Sequence, residues 1–201
     1  MIDARRFAPA TERNREAILA VLAGVVPERA RVLEIAAGSG EHACFFADRL
    51  RVADWQPTDP DPESRASIDA WRGVSKVGRV NPALPLDVAT TSAWPIERAD
   101  VVVCINMIHI SPWQATLGLV RGAANVLEGG GVLFLYGPYR RFGAHTAPSN
   151  DAFDASLRAR DPSWGVRDLE EVTRVAGDAG LSLEEVVAMP ANNFSVVFRR
   201  R

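Results

Sequence analysis

Lysine is nearly absent from this chain: Lys76 is the only one among 23 basic residues in a sequence of 201. A Gly-Lys-Ser/Thr phosphate loop and the Tyr-x-x-x-Lys pair of short-chain dehydrogenases are thereby excluded, because each needs a lysine at a set place. Cysteine is scarce too. Cys44 and Cys104 stand far apart, one in an expected helix and one in an expected strand. Neither a metal-ligand spacing nor a redox pair results, so no metal is expected and both thiols read as small core residues. No apolar run approaches the ~20 residues of a membrane span, and the opening MIDARRFAPATERNRE lacks the apolar centre of a signal peptide. The expected compartment is the cytoplasm, with no membrane partner. A basic excess is missing as well. Net charge of −2 and a pI near 6.0 argue against a nucleic-acid partner, and Arg199 to Arg201 read as a solvated tail. Repeats and low-complexity linkers are also lacking.

What is present is a globular composition, 47% hydrophobic and 24% charged, long enough for one α/β domain that buries roughly 70% of its unfolded surface. Thr11 is expected to cap a helix ending near Gly24. Strands are expected at Arg31 to Ala36, Val52 to Pro57, Asn81 to Val88, Asp100 to Ile105 and Val132 to Tyr136. Helices are expected at Glu41 to Leu50, Glu63 to Trp71 and Pro112 to Leu127, the last stopping at Gly129-Gly130-Gly131. The prolines of the 81–88 segment suit a sheet edge. Alternation of strand and helix predicts a doubly wound, mostly parallel sheet. The tail changes rhythm: a polar segment, helices at about Asp151 to Arg158 and Arg167 to Ala179, then strands Leu181 to Met189 and Phe194 to Arg199 joined by the turn PANN.

The most informative stretch is RVLEIAAGSGEHACFFA, from Arg31 to Ala47. A short buried strand runs into Gly38 and Gly40, which permit positive φ and open a helix towards a ligand. Glu34 argues against phosphate as that ligand, since a carboxylate at the end of a buried strand needs hydrogen bonds from loop N–H groups or a cation. The pattern Glu-x-Ala-x-Gly-x-Gly resembles the first motif of class I S-adenosylmethionine (AdoMet) methyltransferases, whose ligand is a sulfonium cation without phosphate. That family usually has glycine where Ala36 stands. The resemblance implies a Rossmann-like α/β fold with a mostly parallel seven-stranded sheet of order 3-2-1-4-5-7-6, helices on both faces and a closing antiparallel hairpin.

Ligands of open α/β sheets sit beyond the carboxyl ends of the strands. There Asp59 follows the glycine loop by about twenty residues, a spacing at which an acid accepts ribose hydroxyls; Asp61 and Glu63 read as turn capping. Asp87 is similar to the acid that takes the adenine amino group in class I methyltransferases, with Val88 supplying a backbone N–H, or else it caps a turn. In NMIHISPW, Asn106 is placed to contact the cofactor. His109 is either a substrate-binding base near neutral pH or a packed structural histidine. His42 reads as a surface or loop-supporting residue, and His145 as a third-ranked base.

Four segments, RFAPATERNREAIL, EIAAGSGEHA, NMIHISPW and the tail containing SNDAFDASLR and MPANNFSVVFRR, together resemble a methyltransferase-like family whose animal member is methyltransferase-like protein twenty-six. The resemblance covers nearly the whole chain. It implies one AdoMet-dependent domain over 1–201, with an N-terminal helical cap at 1–30 and a helical lid at 138–180. Arg13 would bind the methionine carboxylate by a charge-assisted bond, with Asn14 beside it. Cofactor contacts fall on Arg13, Asn14, Glu34, Ala36, Gly38, Gly40, Asp59, Asp87, Val88 and Asn106. His109, Tyr136 and Tyr139, with Arg140, Asn150, Asn192 and Asn193 near them, fall on the acceptor side. The expected activity is methyl transfer from S-adenosyl-L-methionine to a small molecule, leaving S-adenosyl-L-homocysteine. The alternative is a non-catalytic AdoMet-binding protein or partner subunit. A nicotinamide oxidoreductase is disfavoured by Glu34 and the missing Tyr-Lys pair.

Overall fold

Leu33 and Ile35 on one side of strand β1 (Arg31–Ile35) and Val32 on the other are all buried, so β1 needs cover on both faces, the situation of an internal parallel strand. A computed structural model, describing residues 3–91 and 93–201, provides that cover. Helices α1 (Pro9–Val25), α2 (Glu41–Ala47) and α3 (Pro62–Arg72) surround the first half, with β2 (Asp54–Pro57) between α2 and α3. The second half holds β3 (Ala99–Ile105), α4 (Trp113–Val126), β4 (Leu127–Pro138) and a small hairpin, β5 (Arg140–Arg141) and β6 (Ala144–His145). Helices α5 (Pro148–Arg160) and α6 (Leu169–Asp178) precede β7 (Leu181–Met189) and β8 (Asn193–Arg200). The main sheet has the order β2-β1-β3-β4-β8-β7. Its first four strands are parallel, and β8 and β7 close it antiparallel.

Two apolar layers sandwich this sheet. Leu33, Val102, Leu135 and Phe198 pack with Leu119 of α4 and Val172 of α6. Val32, Val103, Phe134 and Val197 pack on the opposite face with Ile18 and Leu22 of α1 and Phe46 of α2. No helix among the described residues is long and apolar enough to cross a membrane.

The sheet has six strands rather than the expected seven, and the order shortens accordingly. The segment expected as the third strand, 81–88, does lie along β2, but the backbone pairing there is limited to isolated bridges, Trp55 with the preceding Val80 and Thr58 with Leu84. Pro82 and Pro85 remove two of the N–H donors that a continuous ladder would use. Two boundary expectations also change. Thr11 is buried inside α1, whose N-cap is Ala8, because Pro9 starts the helix a turn earlier. The helix α4 stops at Val126, and the glycine run lies inside β4 with Gly130 at φ 86°.

Candidate functional site

The ends of β1 and β2 are sewn together by backbone groups. Thr58 donates to the Glu34 carbonyl through both its N–H and its hydroxyl, each at 2.8 Å, and Ala37 N–H donates back to the Thr58 carbonyl at 2.9 Å. Asp59 then reaches the glycine loop. One carboxylate oxygen accepts from Gly38 N–H at 2.9 Å and the other from Asp61 N–H at 3.0 Å. Only 6% of Asp59 is exposed, and that burial holds its carboxyl above the usual range against the pull of these two bonds. Each oxygen keeps a further lone pair for a ligand hydroxyl. Asp61 does different work: it caps α3, accepting from Glu63 and Ser64 N–H.

The glycines of the loop also divide their labour. Gly38 sits at φ 60°, and a Cβ there would meet nothing within 4 Å, so its face is open. Gly40, at φ 89°, faces α3, where a Cβ would lie 2.6 Å from the Ile68 Cα. It serves close helix packing and not ligand approach. Ala36 occupies φ 54°, a left-handed conformation that costs an L-residue about 1–2 kcal/mol. Ala36→Gly should therefore leave the fold unchanged and raise stability by up to about 1 kcal/mol after glycine's larger unfolded-state entropy is deducted. Urea denaturation checks this; a destabilised variant would mean that the Ala36 methyl packs usefully.

Glu34 departs from expectation. Its side chain is only 2% exposed and bonds no loop N–H; it accepts a hydrogen bond from the Trp55 indole at 2.7 Å. Burial pushes its carboxyl up to about 8, with the neighbouring Asp59 charge adding to the rise. Asp87 shows the turn-capping alternative: one oxygen accepts from Ala89 N–H and the other from the Thr90 hydroxyl. The next residue, Val88, lies under α4 and turns its carbonyl directly at Gly118.

Beyond the carboxyl ends of β3 and β4 opens a cleft of about 790 Å³, within the range of small-molecule sites. Its walls are Ala10, Arg13 and Asn14 of α1; Asn106 and Ile110 after β3; Tyr136 and Pro138 of β4; Ser149, Asn150 and Phe153 of α5; and Pro190, Ala191 and Asn193 of the closing turn. Asn106 takes φ 63° and hangs its N–H on the Tyr136 carbonyl at 2.8 Å. Asn14 accepts from His42 Nε2 at 2.8 Å and hydrogen-bonds Tyr136, which burial nonetheless pushes above the ordinary phenol range. His42 is thus not a surface residue. It is buried, stacked on Phe46, and held near 4 by burial and then by Arg15, so it orients Asn14 as a neutral ring. On the opposite wall Asn150 donates to the Asn192 carbonyl at 2.9 Å, and Asn192 donates to Ser149. Asn193 bonds the Pro190 and Ala191 carbonyls. The asparagine pair is turn chemistry that also ties α5 to the closing hairpin.

Four expected acceptor-side residues, His109, Tyr139, Arg140 and Asn192, do not line the cleft; Asn192 only braces its wall, and Arg140 sits in the β5–β6 hairpin. His109 is fully buried behind Gly137, where a Cβ would lie 2.5 Å from its Nε2. Its Nδ1 accepts from Arg167 N–H, and burial pushes it down to about 3; it packs edge-on against Tyr139 at 4.9 Å. Tyr139 is equally buried, and its phenol is raised far above the ordinary range. Neither can exchange a proton with the cleft as placed here, so His109 follows its structural alternative. His145 lies outside the cleft, 3.5 Å from Asp151 and 3.7 Å from Asp154. The reading of the sequence missed Ile110, Ser149 and Phe153. For the last two a signal existed: they stand at helical i, i+4 spacing around Asn150, so one face of α5 carries all three.

A family profile described as protein of unknown function, DUF938, matches residues 5–200. The chain belongs to this DUF938 family. Among solved structures it is similar to an O-methyltransferase family protein from Burkholderia thailandensis, with a TM-score of 0.81 and 19% identity over 95% of this chain and 57% of that one. It is also similar to the mitomycin 7-O-methyltransferase (TM-score 0.79, 17% identity, 96% and 54% of the two chains). Human N-acetylserotonin methyltransferase in complex with SAM gives a TM-score of 0.77 at 12% identity, over 95% and 52%. The chain spans little more than half the length of these three structures. At such identities the likeness establishes the fold, a mainly parallel α/β sheet of the methyltransferase kind.

Proposed function

We propose that this DUF938 chain binds S-adenosyl-L-methionine at the carboxyl ends of β1, β2 and β3 and methylates a small molecule seated in the adjoining cleft. The observation that carries the reading is the pairing of Asp59 with Gly38 N–H at 2.9 Å, beside a Gly38 face that a Cβ would not fill. The residues present fit the cofactor: Asp59 keeps lone pairs for ribose hydroxyls, and the Asp87–Val88 turn is assigned to the adenine end, with lone pairs left on Asp87 beside its bonds from Ala89 and Thr90. Glu34, Ala36 and Gly40 shape the loop, and Asn14 and Asn106 approach the methionine end. When bound, the cofactor supplies a methyl group already activated on a sulfonium. The protein's share is then placement and exclusion of water. Residues 1–30 act as a cap and 138–180 as a lid in this reading, and kinship with the animal methyltransferase-like protein twenty-six is part of it.

No carboxylate and no imidazole lines the cleft among the described residues. Tyr136, its phenol raised by burial, acts as a hydrogen-bond donor and not as a base. The acceptor atom therefore needs no protein base, or the site binds AdoMet or S-adenosyl-L-homocysteine without turnover. Calorimetric titration with S-adenosyl-L-homocysteine tests the cofactor site. Micromolar binding is expected, weakened in Asp59→Asn by roughly 1–3 kcal/mol as hydrogen-bonding groups lose a partner. No heat at millimolar ligand sinks the reading. Binding without turnover across thiol, amine and phenol acceptors favours the non-catalytic alternative.

A further inference from the structure

We propose that the cleft selects a small organic acid, its carboxylate at Arg13 and its apolar body between Ile110 and Phe153; this rests on the reading of the cleft as the acceptor site. Arg13 is the single charged side chain lining it among the described residues, and every other polar lining group is an amide or a hydroxyl. Several arginines elsewhere are paired with carboxylates, among them Arg6 with Asp61, Arg31 with Asp100, Arg141 with Glu170 and Arg158 with Asp154. Arg13 has no carboxylate partner among the described residues. A lone cation in a mostly apolar wall attracts an anion of complementary shape, and guanidinium matches carboxylate by two parallel bonds.

Partnering favours the acceptor over the methionine tail. Asn14 points at His42 of α2, the helix that follows the glycine loop. Arg13 lines the cleft beside Ala10, one turn earlier on α1, and makes no hydrogen bond to the glycine loop or to α2 among the described residues. The apolar half of the specificity comes from two large side chains that the fold leaves open: Ile110 is 43% exposed and Phe153 is 41% exposed. They belong to separate elements and meet at this one cleft.

The probes are 3-phenylpropionate and its neutral amide, titrated calorimetrically into free protein and into protein saturated with S-adenosyl-L-homocysteine. The acid should bind at least about five-fold tighter than the amide. Arg13→Met should erase that preference while leaving amide affinity unchanged, and Arg13→Lys should restore part of it. Equal binding of acid and amide, or no acid binding at millimolar concentration, overturns the proposal. So does an Arg13→Met variant that loses S-adenosyl-L-homocysteine affinity but keeps 5′-methylthioadenosine, which lacks the amino-acid tail; Arg13 would then serve the cofactor, and the cofactor reading would stand. An Arg13-dependent acid preference in protein that fails to bind S-adenosyl-L-homocysteine supports the acid site while the methyl-transfer reading falls.

Discussion

Gly118→Ala is expected to destabilise the protein by about 3 kcal/mol or more, at the upper end of what overpacking costs. In an ordinary helix the change would help, since alanine exceeds glycine in helix propensity by about 1 kcal/mol. At this position the new Cβ would be driven into the Val88 carbonyl oxygen, far inside van der Waals contact. A carbonyl oxygen cannot rotate aside as a side chain can, so α4 or the 86–90 segment must move. Gly177→Ala provides the control: it lies in α6 with nothing within 4 Å of its added Cβ, so the same substitution should stabilise by about 0.5–1 kcal/mol. Thermal unfolding checks the pair, the first falling by roughly 6–12 °C for a chain of this size. Equal effects at the two positions would refute the close approach of α4 to Val88. Because Val88 stands at the adenine end of the proposed cofactor site, Gly118→Ala should also weaken S-adenosyl-L-homocysteine.

Glu34→Gln should stabilise the protein progressively more as pH rises from about 4.5 to 8. The carboxyl of Glu34 is pushed up from 4.5 to about 8 by burial, so in this window the folded state keeps a proton that the unfolded chain releases. Stability from Glu34 is then fully present below 4.5 and is lost as pH climbs through 8. Glutamine has the same shape, keeps an oxygen for the Trp55 indole and does not titrate. Wild type and variant should be alike at pH 4.5 and differ by roughly 3–5 kcal/mol at pH 8.5, an upper bound set by about 1.4 kcal/mol per pH unit. Urea titrations at both pH values, compared as a difference, cancel the other titrating groups. A constant gap in favour of wild type would show that Glu34 is ionised and partnered in the folded state.

The buried histidines work in the opposite sense. His42 is held near 4 and His109 near 3, so the stability that they contribute is present above pH 6.5 and drains away as pH falls.

Much of the architecture was legible because strands and helices leave periodic traces. The alternation of elements, the buried strand β3 and the closing hairpin follow from apolar runs and turn residues that are local in sequence. Asp59 and the glycine loop were legible for the same reason, since the loop directly follows one strand and the acid directly follows the next. The edge segment 81–88 was not, because whether two prolines leave a ladder or only isolated bridges depends on how β2 presents its own donors.

By itself, then, the sequence determined the α/β class and the order of elements, and it pointed to the strand ends as the candidate site. Only the tertiary structure decided which residues line the cleft there. His109 and Tyr139 vanish into the core, Asn14 is aimed by a histidine 28 residues away, and Gly40 and Gly118 prove to be contact points between backbones. Periodicity records which side of an element is buried, but close approach, desolvation and a cleft built from five separate segments arise only when those elements pack.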